Sequence, residues 1–109
     1  MKNKPVNRKP ARKYLEVIDR LVKVVHESEV TKVVVAELVG IEYITLDKYL
    51  RKERNVNNVE IAKRMVATAQ VLEELVKRGE LPIPPETNAR LRSSVVLEII
   101  HNHITNKTV

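Results

Sequence analysis

The chain has no cysteine, no tryptophan, no phenylalanine and only two glycines among its 109 residues. Without cysteine there is neither a disulfide framework nor a thiolate metal site, which fits a reducing compartment, and a cytoplasmic location is expected. No apolar run approaches the roughly 18 to 20 residues that span a bilayer. Residues 1–13 also lack the apolar stretch of a secretory signal, so a membrane is not among the expected partners. The sequence holds no Gly-rich phosphate loop, no acid pair with a neighbouring histidine and no nucleophile motif. An enzyme is therefore not expected, nor is a cofactor. With 31% charged residues at this length, the chain reads as one small soluble domain with a tail.

What is present is positive charge, unevenly placed. Residues 1–13 carry Lys2, Lys4, Arg8, Lys9, Arg12 and Lys13 and no acid; of 20 basic and 14 acidic side chains in all, this leaves 14 of each for the rest. The remainder is neutral, and the whole net charge of +6 sits on a segment with Pro5 and Pro10 and few apolar residues. Such a segment cannot bury enough surface to offset its ordering entropy, so a flexible, disordered basic arm is expected. The arm suits a polyanion, with a solubilising tail as the plainer alternative.

Helical periodicity governs the rest. Tyr14, Ile18, Leu21 and Val25, flanked by Leu15 and Val22, predict an amphipathic helix over about 11–27 with Glu16, Asp19, Arg20 and Lys23 opposite. Thr31 is placed to cap a short helix, Lys32 to Val39, that stops at Gly40, although Val33, Val34 and Val35 suit a strand equally. A third helix is expected from Tyr43 to Arg54, and Asn57 with Glu60 reads as a capping box. The following long helix carries the stripe Ile61, Ala62, Met65, Val66, Ala69, Leu72, Leu75 and Val76 and ends at Gly79. Pro82, Pro84 and Pro85 exclude helix. Thr87 then caps a last helix over about 88–104, whose apolar face is Leu91, Val95, Val96, Ile99, Ile100 and Ile104.

The stretch Ala36-Glu37-Leu38-Val39-Gly40-Ile41, followed by Thr45-Leu46-Asp47-Lys48-Tyr49-Leu50, resembles the helix-turn-helix of bacterial and archaeal DNA-binding regulators. Ala36 is the small residue wanted where two helices cross closely, and Gly40 stands where the turn needs a positive φ. Val35, Val39, Ile41, Leu46 and Tyr49 fill the buried positions. The resemblance makes the Val run helical and implies that the helix after Gly40 enters the major groove. Its outward residues would be Glu42, Tyr43, Ile44, Asp47, Lys48 and Arg51, with Lys52 and Arg54 toward its end. Glu42 departs from the usual Ser or Thr cap, and both Glu42 and Asp47 repel phosphate, although a carboxylate can accept from cytosine N4. Tyr43, Lys48 and Arg51 are the stronger candidates for base or phosphate contact. A solvated helix face is the plainer account of Lys48, Arg51, Lys52 and Arg54.

Two other registers fit less well. Residues 61–81 resemble the end of a winged helix, but the prolines would spoil a wing strand. A ribbon-helix-helix with Val30 to Glu37 as its strand meets Gly40 too soon. The letters His101-Asn102-His103 evoke a nuclease metal site, yet residues two apart on a helix point to nearly opposite sides, and no metal site is expected there. His26 stands alone near a helix end.

These observations imply an all-α fold of about five helices. Its parts are the arm over 1–13, a helix-turn-helix domain over 14–80, and a Pro-rich linker with a C-terminal helix over 81–109. The expected function is sequence-specific binding of double-stranded DNA by a homodimer that regulates transcription, dimerising through residues 59–104. A plasmid or virus partition protein, whose arm would also engage an ATPase, is the alternative. A helical protein-interaction module without DNA specificity is the third reading.

Overall fold

A computed structural model describes residues 12–108 of the chain, and these residues are all-α. Helices α1 (Arg12–Ser28), α2 (Lys32–Val39), α3 (Tyr43–Leu50), α4 (Val59–Lys77) and α5 (Arg92–Thr108) follow in order, with one 3-10 turn, Ala89–Leu91, before α5. Lys2, Lys4, Arg8 and Lys9 lie outside the described residues. Arg12 and Lys13, assigned to the arm from the sequence, open α1 instead.

The core forms around α4, which packs on α1 most extensively and also on α2 and α5. Its side chains Ala62, Met65, Ala69, Leu72 and Leu75 recur at three and four and are all buried, as an amphipathic helix facing several neighbours requires. From α1 come Ile18, Leu21 and Val24; Val25 is only half-buried and Val22 is exposed, so the buried stripe is rotated slightly from its expected centre. Val96 and Ile100 of α5 join the same core. So do Leu81 and Ile83, which pin the proline-rich segment to the helices rather than leaving it as a free linker.

The ends of the helices explain where the expected boundaries shift. Thr31 accepts a hydrogen bond from the Val34 N–H through Oγ1 at 3.3 Å, as its sequence position suggests. At α4 the cap is Asn58 rather than Asn57, with Oδ1 accepting from the N–H groups of Glu60 and Ile61. Before α5 it is Asn88 rather than Thr87, with Oδ1 accepting from the Arg90 N–H at 2.8 Å. In both cases the polar residue one position later than expected reaches the orphan donors.

Helix α3 ends at Leu50, four residues short of the expected Arg54. Lys52 adopts φ 64°, its N–H donates to the Tyr49 carbonyl, and the Glu53 N–H reaches back to the Lys48 carbonyl at 2.9 Å. This paired closure satisfies the last carbonyls and turns the chain off the helix axis. It also delivers Val56 into the core, a burial that the polar run Asn55 to Asn58 conceals.

Candidate nucleic-acid interface

The α2–α3 pair is locked from within. Val34, Val35, Ala36 and Val39 of α2 and Leu46 and Tyr49 of α3 are buried, and Ile41 between them is half-buried. The Val run is helical because capping by Thr31 and burial at three successive positions favour one eight-residue helix, leaving only Val33 exposed. Gly40 ends α2 with φ 84°, and the N–H groups of Gly40 and Ile41 both donate to the Ala36 carbonyl, at 2.8 and 3.1 Å. This left-handed turn, which glycine adopts without steric cost, reverses the chain within three residues. Ala36 thus serves twice, with a small buried side chain at the crossing and a carbonyl that takes both turn donors.

On the outer side, Tyr43 is 46% exposed and Ile44 65% exposed at the start of α3. Glu42 occupies the cap position with extended backbone but makes no side-chain capping bond. Lys48 is half-buried and has no ion-pair partner among the described residues, and the same holds for exposed Arg54. Arg51 caps α3, Lys52 follows in the left-handed conformation, and Arg54 lies in the connection. These three were expected on the helix facing the groove; Arg51 keeps helical backbone with its N–H on the Asp47 carbonyl, but the left-handed turn at Lys52 takes Lys52 and Arg54 out of the helical register.

Asp47 is drawn into an ion cluster. Its Oδ1 accepts from Lys32 Nζ at 2.7 Å, and its Oδ2 lies 3.3 Å from Arg51 Nε. The Lys32 hydrogen bond holds the Asp47 carboxyl below its ordinary range; burial opposes this, and the charges of Lys32 and Arg51 add to it. Arg51 Nη1 also lies 3.3 Å from Glu53, and Lys52 Nζ is 2.7 Å from Asp19 of α1. Lys32 and Asp19 were not singled out from the sequence. Lys32 is 15 residues from Asp47, across the turn, and no local spacing rule pairs them.

The histidine run resolves into separate environments. His103 is buried between Arg78 and Glu74 of α4, while His101 is exposed. Arg78 Nη1 lies 3.1 Å from Nδ1, and a guanidinium only donates, so Nδ1 is the acceptor and Nε2 carries the proton that meets Glu74 Oε1 at 2.7 Å. Among the described residues, no group of three His, Cys, Asp or Glu is placed to hold a metal ion. No helix there is long and apolar enough to cross a membrane.

In comparisons with protein-family models, with curated proteins and with solved structures, nothing matches this chain.

Proposed function

We propose that the protein binds double-stranded DNA with α3 in the major groove and the basic N-terminal segment along the phosphates, and that it regulates transcription. The observation that carries this reading is the asymmetry of α3. Leu46 and Tyr49 anchor one side in the core, while on the other Tyr43 and Ile44 are exposed and Lys48 has no ion-pair partner among the described residues. The Tyr43 and Ile44 side chains suit contact with thymine methyl groups, and Lys48 suits a guanine edge or a phosphate. Arg51 at the end of the helix, and Lys52 and Arg54 beyond it, suit phosphate rather than bases. The charge excess in residues 1–13 adds affinity of the sequence-independent kind.

A homodimer belongs to this reading. Leu91 is 54% exposed, and Val95 and Ile99, spaced four apart after it, are half-buried along the same side of the C-terminal elements, an apolar strip that a second copy would cover. Two copies would then read two half-sites about 34 Å apart. The test is a gel-shift series on DNA flanking the protein's own gene with random DNA as competitor, paired with a mass measurement in solution. Equal affinity for every duplex would remove the sequence-specific reading, and a monomeric mass at micromolar concentration would remove the dimer.

A further inference from the structure

Asp47 stands where a groove-reading residue would project, yet its carboxylate is already engaged by two cations, one at the start of α2 and one at the end of α3. Lys32 belongs to the first turn of α2 and Arg51 lies just past the end of α3, so the carboxylate bridges the outer edge of the α2–α3 pair, one oxygen to each cation. Asp47 is the more enclosed member, its side chain 24% exposed against 39% for Lys32 and 61% for Arg51. Both cations are therefore within reach of an incoming anion, Arg51 once the exposed Glu53, 3.3 Å from its Nη1, also yields. A phosphate offers the same two-oxygen recognition to an ammonium and a guanidinium that the carboxylate now provides.

We propose that Asp47 is an internal counterion that masks Lys32 and Arg51, so that DNA must displace the carboxylate before a phosphate engages both cations. This inference rests on the reading of the α2–α3 pair as the DNA face. Its effect falls on random DNA first, because sequence-independent binding depends almost wholly on phosphate neutralisation. A carboxylate at the docking edge weakens that binding and so raises the ratio of specific to random affinity, the quantity that matters against a large excess of competing sites. Exchange is accessible because partly exposed ion pairs contribute little to stability and open readily.

The experiment titrates the wild-type chain, Asp47→Asn, Asp47→Ser, Lys32→Ala and the double variant Asp47→Asn with Lys32→Ala against a random-sequence duplex and, in parallel, the duplex preferred in the gel-shift series, over a salt series, with a melting curve for each. Asp47→Asn should bind random duplex several-fold more tightly than wild type, with a salt slope of log K steeper by about 0.9 to 1.8, one or two further phosphates neutralised. Adding Lys32→Ala should remove most of that gain. Asp47→Ser should repeat the gain, and it replaces Asp47→Asn as the test if the latter melts early. Unchanged or weaker random binding by folded Asp47 variants, with wild type binding normally, overturns the inference and leaves the DNA-binding reading standing. Loss of binding confined to a preferred sequence also overturns it, since Asp47 would then be a base reader. A wild-type protein that binds no duplex even at low salt ends the DNA-binding reading and the inference with it.

Discussion

His103 Nε2 of α5 lies 2.7 Å from Glu74 Oε1 of α4, and with Arg78 on its other nitrogen this buried ring ties the C-terminal helix to the end of the long one. Val96 and Ile100 supply the apolar half of the same attachment. A histidine stands where the apolar periodicity of α5 would accept a leucine, and both ring nitrogens are satisfied. His103→Ala removes a buried ring and two hydrogen bonds, while Glu74 and Arg78 are exposed enough to recover water. The expected loss is about 1–3 kcal/mol in urea-induced unfolding. A His103→Ala protein as stable as wild type would show that the ring contributes nothing to holding α5.

The two glycines offer a matched pair. Both take positive φ, 84° at Gly40 and 80° at Gly79, but an added Cβ at Gly40 meets Arg64 Nη1 at 3.4 Å while at Gly79 it meets nothing within 4 Å. Arg64 presents the far end of a flexible side chain, so conformation dominates at both sites. Gly40→Ala and Gly79→Ala should each lower stability by about 1–2 kcal/mol, with similar shifts in thermal midpoint. Gly40→Val should cost more, because a β-branched residue is worse still in that region, and it should weaken DNA binding by disturbing the turn. Unchanged melting of Gly40→Val would exclude a strained turn there.

Glu73 of α4 accepts two hydrogen bonds from Arg20 of α1, at 2.7 and 2.6 Å, which hold its carboxyl below the ordinary value against an opposing effect of burial. A carboxyl depressed in the folded state contributes stability that is present above its unfolded pKa and is lost as pH falls through the folded one. Wild type should therefore exceed Glu73→Gln in stability at neutral pH, and the difference should shrink from about pH 4.5 downward. The pair is well exposed, so solvent screening limits the difference to about 0.5–1 kcal/mol even with bidentate geometry. Denaturant midpoints of the two proteins measured from neutral to acid pH provide the check; a difference that grows on acidification would reverse the assignment.

Affinity and discrimination should separate between the N-terminal segment and α3. Deleting residues 2–11 removes Lys2, Lys4, Arg8 and Lys9 while leaving the described start of α1 intact. The expected result is weaker binding to preferred and random duplexes by similar factors, with a salt slope shallower by up to about 3.6. Tyr43→Ala and Ile44→Ala should instead lower the ratio of preferred to random affinity, by about tenfold for a good base contact. Salt titrations on both duplexes decide the matter. If the deletion abolishes the ratio and the α3 substitutions leave it untouched, the N-terminal segment is the reader and α3 is not.

Much of this architecture is dictated locally. The caps and stops that bound α2, the stripe of α4 and the exclusion of helix by the prolines follow from short-range spacing, because a helix's hydrogen bonds and its buried face both repeat within one or two turns. Thr31 and Gly40 bracket α2 whatever packs on it, and Ala36 is small for a reason visible beside Gly40. Other features depend on what the chain meets after it folds. The exit from α3 at Lys52, a residue with no intrinsic preference for positive φ, is coupled to the burial of Val56, and burying that side chain requires the chain to turn. Leu81 and Ile83 enter the core only because the packed helices leave apolar surface to cover, Ile83 beside Val30, Val34 and Val96. The partners of Asp47, Glu73 and His103 come from 15, 53 and 29 residues away, Lys32, Arg20 and Glu74 respectively. A charge or ring on one helix carries no mark of its partner on another. Only the packing of the helices brings such groups within hydrogen-bonding distance, and that packing decides which outward side chains of α3 remain available to a ligand.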